Sequence, residues 1–540
     1  MSAKPTTLDL EHLPDDPELL KALVRDLVGE TDRLWNQIRE FLQQRYGRKA
    51  ETFTPDQMEL FYKQIKDQLK DAPKVPEIPE KPKAPFVGHG RRKPNKNLPV
   101  IRTQHLLSED RKTCLDCGGA LHKIGEECRT LLDWFPASFV RREQTCEKYA
   151  CSKCQGKVVT SELPPQAIER CMAGEGLLAH VIASKYGYHQ PLYRQSEIAG
   201  HEGADLNRST LNRWTARGAD VLAPVYDAMI EDVLQSKVLH NDDTTVPVLD
   251  ERGGPPSEPD SLERLEYEAI ADDPKGRRKA RDGYLWTWVG DKEHPAIVFN
   301  YTPTRAGTGP KNFLGGWKGY LVVDAYSGYD ALFARGPGIK ECCCWAHCRR
   351  KFKEAFTTDK VRCGEAIAFI AEIYKVETLA EDKDAAERHA LRQQYSKPVL
   401  AAFKKWLDAQ ALVTLPKSPV GKAIGYALRQ WNAFETFLQD GDIPIDNNPA
   451  ENALRRVALG RKNWLFCATD EGGQRAAILY SFIATCKRHG VNPQEYFRDV
   501  LTRLAFMPSP SKAELRELMP HLWKSQTPQL LIPSQEPQVA

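Results

Sequence analysis

A chain of 540 residues exceeds what one hydrophobic core organises and implies about three or four folded units. Hydrophobic residues make up 41% of it, which excludes a wholly disordered protein, and no apolar run is long enough to predict a membrane span. The net charge of +3 says nothing about partners by itself, so local charge has to be read instead.

The first residues carry no basic stretch followed by an apolar one, so no secretion signal is expected and a cytoplasmic location follows. Fourteen cysteines in such a chain read as reduced thiols and candidate metal ligands rather than as disulfides. Within residues 17–46, Leu20, Leu27, Leu34 and Phe41 recur every seven positions, with Val24 and Ile38 between them and Thr31 breaking the second series. This is a short coiled-coil pattern, and residues 1–70 are expected to hold two copies of the chain together; a single amphipathic helix is the alternative. Residues 71–112 are rich in proline and lysine and read as an extended basic linker. Its cations, Arg91, Arg92 and Lys93 among them, suit phosphate neutralisation or simple solvation.

Residues 113–163 carry Cys114-Leu-Asp-Cys117-Gly-Gly and then Cys151-Ser-Lys-Cys154-Gln-Gly. Each pair aims two thiolates at one ion, and four thiolates close a tetrahedral site. The expectation is structural Zn²⁺ on Cys114, Cys117, Cys151 and Cys154, with Cys128 and Cys146 as possible substitutes. Residues 164–235 are expected to be helical and to include a helix-turn-helix. Its first helix would be Ser196–His201, with Gly203 in the turn, and Asn207 would cap a second helix. Leu211 and Trp214 would face its core, and Arg208, Thr210 and Arg213 would face outward for a DNA groove. An ordinary helical hairpin is the alternative.

From residue 236 the texture is that of strands: SKVLHNDDTTVPVL, GYLWTWVGD and HPAIVFNYTP, then a short helix at Lys311–Leu314, then GYLVVDAYSGYDAL and IKECCCWAHC. This order is that of a ribonuclease-H-like α/β domain, an order other α/β folds share. Residues 251–282 interrupt the first two strands as a charged, exposed insertion. The core is expected in two parts, 236–358 and 441–506, split by a helical lobe over 359–440. Residues 507–540 form a proline-rich tail.

Asp242 and Asp324 each follow an apolar strand, and neighbouring strands of a mixed sheet bring such residues side by side. Glu451 alone reads as structural. Asn448 makes a helix cap, Pro449 fits the first helical position, Glu451 falls where a capping-box residue belongs, and Arg455 lies one turn on. Gathered together, however, the three acids repel one another unless a cation sits among them, and oxygen ligands favour Mg²⁺ or Mn²⁺.

The strings His240-Asn-Asp242-Asp-Thr244, Gly319-Tyr-Leu-Val-Val-Asp324-Ala-Tyr-Ser-Gly-Tyr329, Cys344-Trp-Ala-His347-x-Arg349-Arg350 and Asp446-Asn-Asn-Pro-Ala-Glu451-Asn-Ala-Leu-Arg455 resemble the bacterial transposases of the insertion sequence sixty-six family. Gly460-Arg-Lys-Asn-Trp-Leu-Phe466 extends the last match, and the cysteine pairs and leucine-rich start fit as well. The resemblance implies an Asp-Asp-Glu enzyme with Asp242, Asp324 and Glu451 as ligands of two metal ions and His347 close by. It implies cleavage that frees a 3′-OH at terminal inverted repeats and joining of that end to target DNA. Arg455, Arg456, Arg461 and Lys462 follow the final acid and suit either phosphates near the chemistry or a solvated helix face; Arg349 and Arg350 are expected to contact DNA as well, the leucine-rich start is expected to give a dimer or larger assembly, and the family has small accessory proteins as possible partners. The acid after the first Asp is Asp243 where the family has Glu; strand alternation puts one of the pair on the site face, and Asp242 is chosen. An inert DNA-binding regulator and a nuclease that cuts without joining remain as alternatives.

Overall fold

The computed structural model describes residues 163–249, 280–334 and 338–523, with a few positions between 139 and 160. The expected coiled coil, the linker with Arg91, Arg92 and Lys93, and Cys114, Cys117, Cys151 and Cys154 lie outside the described residues. So do most of the 251–282 insertion and the end of the tail. Among the described residues, no helix is long and apolar enough to cross a membrane.

A mixed five-stranded sheet sits at the centre. Its strands are β1 (Val238–Leu249), β2 (Ala280–Val289), β3 (Ile297–Thr302), β4 (Gly319–Val323) and β5 (Ile339–Cys343), in the order β3-β2-β1-β4-β5. The first three are antiparallel, and β1, β4 and β5 run parallel. β2 begins at Ala280, so the last residues assigned to the insertion belong to the strand: they pair with Pro247–Leu249 and gain a ladder that a solvated loop lacks. Between β3 and β4 lies α4 (Thr308–Leu314), which starts earlier than expected and stacks Phe313 on Trp288 at 4.3 Å.

Among the described residues, three α-helices precede the sheet: α1 (Glu175–Ile182), α2 (Leu192–His201) and α3 (Arg208–Val233). Asn207 caps α3 as expected, accepting from the Ser209 N–H at 2.8 Å. Leu211 and Trp214 are buried, Arg208 and Arg213 are exposed, and Thr210 is half-buried rather than exposed. Two boundaries differ from expectation. α2 begins at Leu192, where Pro191 starts the turn, and α3 continues for 26 residues instead of ending near Trp214. Leu222, Val225, Met229 and Val233 extend its apolar stripe, so burial against β3 and the helices that flank the sheet carries the helix onward.

The stretch after β5 is helical, as predicted. α5 (Trp345–Ala355), α6 (Lys360–Leu379), α7 (Lys397–Val413) and α8 (Pro419–Arg429) enclose a separate aromatic core of Phe369, Phe403, Trp431 and Phe434. Trp345 plugs into that core, 4.6 Å from Phe434, and its indole N–H donates to the Phe434 carbonyl at 3.1 Å. The lobe is thereby anchored at the residue that follows Cys344. The chain then returns as α9 (Asn448–Trp464), which packs on β1 and β2, followed by α10 (Asp470–Arg488) and α11 (Pro493–Ala505). α10 covers the sheet's β3 edge: the Thr485 and Ser481 hydroxyls accept from the Ile297 and Phe299 N–H groups at 3.0 and 2.8 Å.

A candidate acidic metal centre

Parallel register brings the two aspartates together. His240 on β1 pairs with Val322 on β4, and Asp242 and Asp324 each lie two residues farther along. Asp242, inside β1, and Asp324, immediately after β4, therefore sit at matching positions on neighbouring parallel strands. Asp324 is locked by the turn after it: Ala325 takes a positive φ of 65°, and the Tyr326 N–H donates to Asp324 Oδ1 at 3.0 Å. Asp242 accepts from the Asp243 N–H at 2.8 Å. Glu451 arrives from the first turn of α9.

The three carboxylates are electrostatically joined. Burial pushes the Asp242 carboxyl well above the ordinary range, and the charges of Asp324, Asp243 and Glu451 push it the same way. Asp243 points elsewhere. Arg305 grips it with Nε and Nη2 at 2.8–3.1 Å, and the guanidinium lies 3.8 Å over the Tyr326 ring. Alternation along β1 thus separates the two acids: one faces the other carboxylates and the other is neutralised by an arginine.

Glu451 makes no capping box. The residue before α9 is Asn447, not Asn448, and no side chain caps the helix. Asn448 lies inside the helix and binds Asp446 instead, through its backbone N–H at 3.2 Å and its amide at 2.8 Å. The Glu451 carboxylate turns to α5, with Arg350 Nη2 at 3.4 Å from Oε2 and His347 Nδ1 at 3.7 Å from Oε1. Burial lowers the His347 pKa although Glu451 raises it, so the imidazole is neutral at neutral pH. His347 Nδ1 and Glu451 Oε1 are both buried without a hydrogen-bond partner.

Asn447, which sequence reasoning did not single out, ties the site together. It is fully buried, and its amide donates to the Asn241 carbonyl at 2.8 Å. Its Oδ1 meets His240 Nδ1 at 3.1 Å, and its backbone N–H points at Cys344 Sγ at 3.2 Å. One residue thus links β1, through its side chain, and the start of α5, through its backbone N–H, to the start of α9. Burial lowers the His240 pKa to about 4, against the raising effect of Asn447, so that contact is a neutral hydrogen bond. The only available signal for Asn447 was its place in the Asp446-Asn-Asn-Pro string.

The remaining expected residues divide. Arg455 and Lys462 project from α9 into solvent. Arg456 is half-buried, and burial lowers its pKa. Arg461 is bound to β1: Nη1 donates to the Thr245 carbonyl, to Thr245 Oγ1 at 2.9 Å and to Thr244 Oγ1 at 3.4 Å. Arg349 stacks over Tyr374 at 4.8 Å. Arg208, Thr210 and Arg213 belong to α3 and are not part of this cluster.

Comparison with known proteins agrees along nearly the whole chain. The model of the Transposase IS66 family matches residues 170–258 and 268–475, which include all three acids. The IS66 C-terminal element matches residues 481–521. The zinc-finger binding domain of transposase IS66 matches residues 111–155, spanning all four predicted zinc cysteines, and a domain described as Transposase C of IS166 homeodomain matches residues 33–103. Among relatives from Sinorhizobium fredii (strain NBRC 101917 / NGR234), "Uncharacterized protein y4jD" is 31% identical over 95% of this chain and 98% of its own length. "Uncharacterized protein y4hP" is 33% identical over 78% of this chain and 76% of its own. The matching segments carry the same order of modules that the sequence motifs indicate, and the chain belongs to the IS66 transposase family.

Proposed function

We propose that this chain is a DNA transposase whose chemistry runs on Asp242, Asp324 and Glu451. Its sheet would be that of a ribonuclease-H-like domain, a reading supported by the strand order β3-β2-β1-β4-β5 with its antiparallel and parallel halves. The observation that carries the proposal is the parallel register that sets Asp242 and Asp324 side by side on neighbouring strands, with Glu451 near enough that its charge, like that of Asp324, helps raise the Asp242 carboxyl. Such a cluster is costly in isolation and becomes favourable around divalent cations, and its all-oxygen donor set fits two Mg²⁺ or Mn²⁺ ions. Bound there, those ions supply positive charge to a reacting phosphodiester.

The protein's own part is placement. β1 and β4 hold two carboxylates at fixed spacing, and α9 brings the third. Neutral His347 and cationic Arg350 orient Glu451 without competing for the aspartates. Exposed Arg455 and Lys462 on the same helix would hold flanking phosphates. In the first step a P–O bond of the element's end is exchanged for a bond to water oxygen, which frees a 3′-OH. In the second that hydroxyl oxygen attacks a target phosphodiester and releases one strand as a new 3′-OH. The attacking hydroxyl gives up a proton each time, and no protein nucleophile is consumed.

The helix pair at Leu192–Val233 and the basic linker would engage terminal inverted repeats. The leucine-rich N-terminus would assemble a dimer or larger complex on two ends, with the zinc ion structural and accessory proteins as further partners, in the cytoplasm on the chromosome. The test is a strand-transfer assay with end-labelled repeat DNA and Mg²⁺. Wild type should give joined product, and Asp324→Asn should bind the ends and give none. Binding without cutting by wild type would leave a regulator, and cutting without joining a nuclease. Full joining by Asp324→Asn would remove the assigned site.

A further inference from the structure

Cys344, His347 and Glu451 meet on the flank of the acidic pocket, and their chemistry differs from that of the pocket. Each offers one ligand atom, and the three atoms lie within 4.8 Å of one another. Cys344 immediately precedes α5 and is fully buried, His347 sits in the first turn of α5, and Glu451 reaches across from α9. Two atoms of the group, His347 Nδ1 and Glu451 Oε1, are buried, unpartnered and 3.7 Å apart. Arg350 holds the other glutamate oxygen, Oε2, at 3.4 Å, which leaves Oε1 as a one-atom donor with an outer partner on its carboxylate.

An all-carboxylate set selects a hard ion, whereas thiolate, imidazole and a single carboxylate oxygen select a softer one. We propose that Cys344 Sγ, His347 Nδ1 and Glu451 Oε1 form a transition-metal site that takes Zn²⁺, and that filling it withdraws Glu451 from Asp242 and Asp324. Zinc would then act as an off-switch for the neighbouring pocket. The site stands on its own donors; only its effect as a switch rests on the Asp-Asp-Glu reading.

The required rearrangement is small. Zinc bonds of about 2.0 Å to nitrogen or oxygen and about 2.3 Å to sulfur place tetrahedral ligand atoms roughly 3.3–3.7 Å apart, so side-chain rotations suffice. On binding, Cys344 gives its Sγ–H proton to solvent and the thiolate forms one Zn–S bond. The Asn447 N–H, already 3.2 Å from Sγ, supports the new charge. Three protein ligands leave a fourth position for water, as suits a reversible site, in contrast to the closed four-cysteine arrangement expected upstream.

The test uses the full-length chain equilibrated with excess ZnCl₂ in the presence of Mg²⁺ and then dialysed. Wild type should retain one more zinc per chain than Cys344→Ser or His347→Gln, because removing even an outer partner of a ligand costs about 10–100-fold in affinity and these substitutions remove a ligand itself. Serine is a favourable residue before a helix, so Cys344→Ser keeps the start of α5. Equal zinc content in all three proteins would overturn the site while leaving the proposed joining activity untouched. In the strand-transfer assay, zinc should suppress joining by wild type, and Cys344→Ser should lose that suppression relative to its own zinc-free rate. Retention of the extra zinc with undiminished joining would overturn the switch. Retention by a wild type that joins no DNA even without added zinc would overturn the functional reading instead.

Discussion

Asp232 in the last turn of α3 and Asp242 in β1, the first buried and the second half-buried, lie on either side of the connection from α3 into β1 in opposite electrostatic surroundings. Asp232, in the last turn of α3, is ringed by basic side chains from elsewhere in the chain. His294 Nδ1 lies 3.1 Å away, Arg516 Nη2 3.2 Å and His521 Nε2 3.4 Å. Burial pushes its carboxyl up, but the bonds from His521 and His294 outweigh that and hold it below the ordinary value. Asp242 has acids for neighbours, and burial and charge push its carboxyl up together. A buried carboxylate that the fold has neutralised is a fastening, here of the C-terminal element to α3. One surrounded by like charge destabilises the fold and marks a place where something else brings the charge.

This contrast yields predictions, the largest at the acidic pocket. Asp242→Asn should lower joining by at least about a thousandfold, since a cation clamp supplies several kcal/mol to phosphoryl transfer. The same substitution should raise the thermal midpoint of the metal-free chain, because it removes a repelled charge. A drop in that midpoint measured by calorimetry would place Asp242 with the fastenings.

Asp232→Ala should do the reverse, costing about 3–5 kcal/mol of stability, as expected when one partner of a buried ion cluster is removed. Because the Asp232 carboxyl is held low, its contribution is present above the unfolded-chain pKa of about 3.9 and is lost as pH falls through its lowered value. Urea unfolding of wild type and variant should therefore show a gap at neutral pH that narrows in acid. A gap that widened in acid would refute the assignment.

A smaller effect separates neighbours on α9. Arg461→Ala should cost about 1.5–3 kcal/mol of stability by breaking its charged hydrogen bonds to Thr244 and Thr245, whereas exposed Lys462→Ala should leave stability alone and weaken DNA binding. Thermal melts and salt-dependent binding curves distinguish the two outcomes. The smallest change in joining should come from Asp243→Asn. Arg305 already neutralises that acid, so the loss should stay within about tenfold, worth roughly 1.4 kcal/mol. An effect equal to that of Asp242→Asn would break the distinction between the two faces of β1.

Much of the architecture was legible in sequence because it is local or periodic. Strand-like apolar runs marked the five strands, the Asn207 cap began α3, and the high density of helix formers marked the lobe over 359–440. The order of elements also foretold that Asp242 and Asp324 would leave adjacent strands. Other features depended on contacts made only after folding. Local pattern ended the second helix of the pair too early, because the surfaces that prolong α3 are α10 and the β3 edge of the sheet, both distant in sequence. It read Glu451 as a capping residue, because nothing near it in sequence reveals His347 and Arg350 across the gap. It grouped Arg461 with Arg455 and Lys462, although the fold spends Arg461 on β1. Asn447 had no visible role until three elements converged on it. Backbone periodicity and caps are encoded within a few residues, whereas the orientation of a charged side chain is set by whichever distant groups the fold brings within hydrogen-bond range, and only the tertiary structure decides those.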